Sequence, residues 1–407
     1  MTIDIVGGFY RETCHFPFTY DYYGSGGRAA AVLDGIDEEV TLHTYIPAHW
    51  RGFLDQLPSH DNLTIQYSHT NQGISFHYHH GLAPPSINPP LHRIRQYPQI
   101  EVHTDLAILF GMLECGLKAT ADCAVYDPQS ETDPIPFAST GSSVNLLSIV
   151  ANQREVLKLS GQDNVEAAAF TLLNGTADVV IVKNGLFGAQ VYEHNGTITQ
   201  IPAFRTSSLT KIGTGDIFTT VYGYYWGAEG VPPPDAARRA ATATALYAQF
   251  GIYELVLLDK KMKQVLELQE IASPRTKAED KTVYIGGPFF GVGQRWIIES
   301  AVAAIRKLGL GAFNPRTDAG EDLPSRYVRR DLEGIDHCDS MLAILEDYDP
   351  GTLFEIGYAV KIGKPVCVYY PEAKHNEHGL TMINHTHCKT FRQIDAAIYN
   401  AAWDAIS

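Results

Sequence analysis

Short apolar, β-branched runs alternate along nearly the whole chain with stretches whose apolar positions recur at helical spacing. That alternation predicts an α/β protein with parallel sheets joined by crossover helices. In the first part, residues 3–6, 106–110, 124–126 and 179–183 are short β-rich runs, the candidate buried strands. Residues 234–249 are Ala-rich with prolines at the leading edge, which predicts a helix. Residues 268–281 (LQEIASPRTKAEDK) then turn polar and contain Ser-Pro, so the linker is placed there. A fresh alternation follows: strand 282–285, a Gly286-Gly287-Pro288 turn, helix 294–307, strand 340–345, helix 352–362 and strand 366–370. The reading is two domains, 1–267 and 282–407, the second a smaller doubly wound, flavodoxin-like parallel sheet.

Length agrees, since 407 residues exceed what one core usually organises. The formal net charge of -15 argues against nucleic-acid polymers and anionic membranes as partners, because both call for clustered Lys and Arg. Six scattered cysteines without a C-x-x-C pair read as reduced thiols. The chain starts directly in a strand-like segment and has no long apolar run, so a cytoplasmic location is expected.

Two segments carry candidate chemistry. In Ile212-Gly213-Thr214-Gly215-Asp216 the glycines clear space for backbone N–H groups to crowd a phosphate at a helix start. Asp216 is placed to take the proton of an attacking hydroxyl. A Gly-x-Gly-Asp sequence also occurs in ordinary turns, so the motif needs context. Several further segments occur in a matching order: Gly7-Gly8-Phe9-Tyr10-Arg11-Glu12, Gly24-Ser25-Gly26-Gly27-Arg28, Asn152-Gln153-Arg154-Glu155 and Lys183-Asn184-Gly185. Together, over residues 1–260, these resemble the ribokinase-like (PfkB) sugar and nucleoside kinases. The resemblance implies Asp216 as general base, Gly213 and Gly215 as the anion hole, and Lys183 and Gly185 at the ATP site. It also implies Glu12, Gly26 and Gly27 as substrate contacts, and Asn152 and Glu155 as organisers of Mg²⁺. The chain departs from the family in having Glu12 for the usual Asp and Thr210-Lys211-Ile212 before the glycines. A strand over Ser75-Phe76-His77-Tyr78-His79-His80 puts His77 and His79 on one face, which invites a metal reading. The resemblance instead makes this the substrate lid.

The second segment is Asp349-Pro350-Gly351-Thr352-Leu353-Phe354-Glu355-Ile356-Gly357-Tyr358-Ala359. Glycosidic cleavage with retention uses a carboxylate nucleophile and a second acid for the leaving group. Glu355 lies in an apolar helical run, where a charge is costly unless it faces a cleft or a partner. Asp349-Pro350-Gly351-Thr352 is equally a good helix start. With Tyr284 through Phe290, Asp331 through Ile335, and Gly363-Lys364-Pro365-Val366, the segment resembles the nucleoside 2-deoxyribosyltransferase family over residues 282–407. The resemblance implies Glu355 as nucleophile, Tyr284 as the hydroxyl that orients it, and Asp331 and Asp349 as holders and protonators of the base. It places Phe289 and Gly286 against the substrate and gives Asp339 no role. It also implies a homo-oligomer. Asn384 stands near the segment that often serves the 5′ end of the sugar, which leaves 5′-hydroxyl against 5′-phosphate open. His375, His378, His385 and His387 read as loop histidines. The expectation is a bifunctional enzyme acting on nucleosides or nucleotides with ATP and Mg²⁺.

Overall fold

The computed structural model describes residues 1–57, 60–252, 255, 268–271, 278–318, 324–371 and 380–407. Two compact units emerge: Met1–His79 with Pro84–Phe204 and Thr210–Ala272, and Ser273–Ser407 with His80–Ala83 and Arg205–Leu209. His375 and His378 lie outside the described residues, as does 272–277 of the expected linker.

Among the described residues the first unit is built on a nine-stranded sheet. Its strands are β1 (Thr2–Val6), β4 (Glu39–Pro47), β5 (Leu63–Thr70), β8 (Tyr97–Phe110), β9 (Cys115–Asp127), β10 (Ser143–Asn152), β11 (Val179–Lys183), β12 (Ala189–Glu193) and β13 (Ile198–Ile201). The order β13-β12-β11-β10-β9-β8-β1-β4-β5 is parallel from β5 through β11, with β12 and β13 antiparallel at the edge. A smaller sheet joins β2 (Arg11–Phe16), β3 (Thr19–Tyr22), β6 (Ser75–His80) and β7 (Ser86–Asn88) in the order β3-β2-β6-β7. A short pair links β14 (Ala203–Phe204) to β15 (Glu270–Ile271).

Helices cover both faces of the large sheet. On one face α1 (Gly24–Leu33), α4 (Thr214–Gly223) and α5 (Pro233–Phe250) bury Ala30, Ile217, Val221 and Leu246 against Ile3, Ile108 and Ile181. On the other, α2 (Gln153–Ser160) and α3 (Val165–Gly175) bury Val156 and Leu173 with Leu109, Ile149 and Val180. Strands β8 and β9 run to 14 and 13 residues, far longer than the apolar runs 106–110 and 124–126. The stretches ahead of those runs, as in Tyr97–Asp105, alternate in exposure and so lack a continuous apolar signal.

β1 hydrogen-bonds β4 on one side and β8 on the other. The chain therefore winds away in both directions, and a crevice opens at the carboxyl end of β1, at Gly7-Gly8. Helix α1 can start there because Gly26 backs onto Gly7, where a Cβ would meet the Gly7 oxygen at 2.6 Å.

The second unit has a five-stranded, all-parallel sheet among the described residues. Its strands are β16 (Thr282–Gly286), β17 (Gly311–Phe313), β18 (Ser340–Ile344), β19 (Val366–Tyr369) and β20 (Lys389–Phe391), in the order β17-β16-β18-β19-β20. Counted within the unit this is 2-1-3-4-5, the flavodoxin-like order, whose ligand crevice lies at the carboxyl ends of the first and third strands. Those ends here are Gly286 and the loop after Ile344. Among the described residues no helix is long and apolar enough to cross a membrane.

Candidate functional site

The first unit gathers its charged residues around the start of α4. Gly213, with φ +84°, is the left-handed N-cap of α4 and lets the turn aim its amides out of the helix end. Asp216 follows in the first turn. Its Oδ2 accepts from Arg28 Nη1 at 2.8 Å and its Oδ1 from Gln129 Nε2 at 2.7 Å. Arg28 Nη2 in turn donates to Glu12 Oε2. The guanidinium is thus a bridge between the two carboxylates that sequence reasoning placed on the sugar and on the reacting hydroxyl. Burial pushes the Glu12 carboxyl up, against the pull of Arg28. Burial opposes the charge on Arg28 as well, but Glu12, Tyr247 and Asp216 hold its pKa well above the ordinary value.

Behind the turn, Lys183 at the end of β11 donates to the buried Asp127 at the end of β9. Thr219 Oγ1 donates to the same Asp127 oxygen at 2.8 Å. A Cβ on Gly215 would lie 3.6 Å from Lys183 Nζ, so this ammonium reaches the α4 turn. Gly185, with φ +53°, turns the chain after Lys183. Asn152 and Glu155 close a reciprocal capping box at the start of α2. Burial lifts the Glu155 carboxyl to about 7, with Asp127 adding to the rise. Among the described residues no group of three His, Cys, Asp or Glu could hold a metal ion, and that includes His77 and His79. The amides of Gly26 and Gly27 donate inside the fold, to Gly8 and Tyr23 oxygens.

Arg28, Gln129 and Asp127 escaped sequence reasoning. The visible signal was Arg28 itself, a lone cation entering the small-residue run Gly26-Gly27-Arg28-Ala29-Ala30-Ala31.

In the second unit, Tyr284 on β16 is fully buried and stacked 5.6 Å from Phe313. Its hydroxyl donates to Glu355 Oε1 at 2.9 Å. Glu355 comes from the helix Pro350–Lys361, and its other oxygen lies over Gly286, where a Cβ would be only 2.5 Å away. Burial raises Glu355 to about 7; the Tyr284 hydroxyl lowers it, and the charges of Asp331 and Asp349 raise it. The three acids therefore share one electrostatic environment. Asp331, on the helix Pro324–His337, is 7% exposed, yet its Oδ1 has no hydrogen-bond partner. Burial pushes its carboxyl to about 6. A buried carboxylate oxygen without a donor from the protein is expensive in a finished fold.

Asp349 bears out the helix-start reading made of it. It caps the helix, with Oδ2 accepting from Thr352 N and Thr352 Oγ1, each at 2.7 Å. Asp347 and Tyr348, just before it, have φ of +49° and +52°, forming a tight turn closed by Asp349 N to Glu346 O. Phe289 is half-buried, beside the exposed Phe290 at 5.6 Å. Asp339 accepts from Lys281 Nζ and Thr282 N, a structural use outside the site. Asn384 is exposed on the short helix Thr381–Asn384.

Residues 283–393 match the family model for nucleoside 2-deoxyribosyltransferase. Comparison with curated protein sequences gives no match. Among solved structures, ribokinase from Thermotoga maritima aligns at 15% identity and a TM-score of 0.47, covering 65% of this chain and 99% of that one. Phosphofructokinase-2 from Escherichia coli aligns at 14% identity and 0.43, covering 66% and 100%. Fructokinase from Vibrio cholerae aligns at 13% identity and 0.42, covering 65% and 99%.

Proposed function

We propose that this chain is a bifunctional enzyme of (deoxy)ribonucleosides, their nucleotides and sugars. In the second unit, Glu355 attacks the anomeric carbon and forms a glycosyl ester as the C1′–N bond breaks. The leaving base takes a proton from Asp331 or Asp349, and water or a second base then releases the sugar from Glu355. The observation that carries this reading is the Tyr284–Glu355 hydrogen bond of 2.9 Å. It aims a carboxylate poised at about 7 into a crevice where Asp331 has an oxygen in want of a donor.

In the first unit, Asp216 takes the proton of an acceptor hydroxyl while the turn at Gly213 and Gly215 faces the phosphoryl group that ATP supplies. Lys183 supplies positive charge beside that turn. Mg²⁺ is held largely by phosphate oxygens and water, with one or two carboxylates. Glu155 is the carboxylate proposed for it, though it already caps α2 with Asn152 and no step is derived through the ion. The proposed setting is cytoplasmic and the proposed assembly a homo-oligomer.

The economical order is nucleoside to 5′-nucleotide, then free base and sugar phosphate. It requires the nucleoside 5′-monophosphate to be cleaved faster than the matching nucleoside; equal or reversed rates would overturn it. The family match at 283–393 favours a second reading, exchange of the base with the kinase trapping the new nucleoside. A deoxynucleoside mixed with a second free base then yields the exchanged product. A third reading makes the first unit a ligand sensor rather than a kinase, governing a second unit that cleaves nucleotides or NAD. It is supported by the engagement of both Asp216 oxygens. A nucleoside and nucleotide panel with ATP·Mg²⁺, analysed for phosphorylated products and freed bases, separates all three.

A further inference from the structure

Arg28 has no part in the chemistry described so far, yet it bridges Glu12 and Asp216. Its side chain is only 6% exposed. One guanidinium nitrogen serves Asp216 and the Gly24 carbonyl, and another serves Glu12. The guanidinium also packs on the helix turn, since a Cβ on Gly213 would fall 2.1 Å from Arg28 Nε.

A sugar that touches both Glu12 and Asp216 must share or take the space of this guanidinium. Drawing Arg28 off Asp216 leaves a buried cation short of one carboxylate. Breaking a buried pair by removing one partner is strongly destabilising. A neutral sugar offers only hydroxyl dipoles in exchange. A phosphate or carboxylate offers a full charge and two oxygens in the fork geometry that guanidinium matches. Once Arg28 turns to such a group, Asp216 regains a free oxygen for the acceptor hydroxyl.

We propose that Arg28 is the receptor for an anionic group, phosphate or carboxylate, on the sugar-like ligand of the first unit. The proposal rests on Glu12 and Asp216 marking the acceptor crevice, not on phosphoryl transfer taking place. It shifts the favoured acceptor from a neutral nucleoside to a sugar phosphate or sugar acid.

Isothermal titration calorimetry on the full chain without ATP tests it, using ribose, ribose 5-phosphate and gluconate as probes. In the unsubstituted protein at least one of the two anions binds about tenfold or more tighter than ribose. Arg28→Met removes that preference, read as the ratio of anion affinity to ribose affinity. Arg28→Lys keeps the charge without the fork, so it loses part of the preference while melting cooperatively, and it decides the matter if the Met variant does not fold. Equal binding of all three probes, no binding of any, or a preference that survives both substitutions overturns the proposal. Adding ATP·Mg²⁺ separates the two claims. Anion binding without a phosphorylated product would end the kinase reading and leave Arg28 standing; a product formed as readily on ribose would end the role of Arg28 alone.

Discussion

Tyr284 Oη and Glu355 Oε1 lie 2.9 Å apart although 71 residues separate them in the chain. The hydroxyl stabilises the ionised carboxylate, against burial and against the charges of Asp331 and Asp349. A nucleophilic Glu355 must be ionised, so its ionisation, centred at about 7, should appear as a limb of the glycosidic-cleavage pH profile. Tyr284→Phe removes an influence that lowers this pKa, so that limb of the kcat/KM profile should move to higher pH. A limb that stays in place would show that Tyr284 does not tune Glu355.

The same carboxylate explains why residue 286 is glycine. Glu355 Oε2 and Met341 Cε stand 2.5 and 2.8 Å from where a Cβ would be, both at the ends of flexible side chains. Gly286→Ala should therefore leave the melting temperature nearly unchanged while displacing Glu355 and lowering cleavage by about tenfold or more, as misplacement of a reacting group does. Near-normal cleavage in a folded Ala variant would contradict this arrangement.

Asp349 is both a helix cap and a proposed acid, and substitution separates these roles. Asp349→Asn keeps an oxygen for Thr352 and should retain stability but lose cleavage. Asp349→Ala loses the cap as well, at about 1 kcal/mol, readable as a lower midpoint in urea. Full activity in the Asn variant would leave Asp349 a cap only.

In the first unit, Asp216→Asn should abolish ATP-dependent phosphorylation and leave glycosidic cleavage intact. Unchanged ATP-dependent product formation would remove Asp216 from the general-base role.

Much of this architecture can be read from local sequence. Strands buried on both faces, such as Val179–Lys183, write themselves as apolar runs, and the Gly213 turn and the Asp349 cap use residues with strong backbone preferences. Glu355 was visible as a charge inside an apolar helix. The partners of these groups were less visible. Arg28 meets Asp216 across 188 residues and Lys183 meets Asp127 across 56, pairings fixed by the order of parallel strands and not by any periodicity. The extra length of β8 and β9 was hidden for the opposite reason, because their early halves alternate in exposure and resemble surface chain.

Stability offers an independent check on Glu355. A carboxyl whose pKa rises from 4.5 to about 7 on folding loses stabilisation as pH climbs through that range. Glu355→Gln has no such group, so its melting temperature relative to the unsubstituted protein should improve between pH 5 and pH 8. A difference that does not vary with pH would place Glu355 in a more solvated setting.

The central claim is a covalent glycosyl–Glu355 intermediate. A 2′-fluoro nucleoside or nucleotide slows both formation and breakdown of such an ester by destabilising the oxocarbenium-like transition state. Intact-mass analysis followed by peptide mapping of the full chain incubated with that analogue should find one added fluoroglycosyl group, on Glu355, and none in Glu355→Gln. Release of free base with no adduct, or an adduct on another residue, would contradict the account.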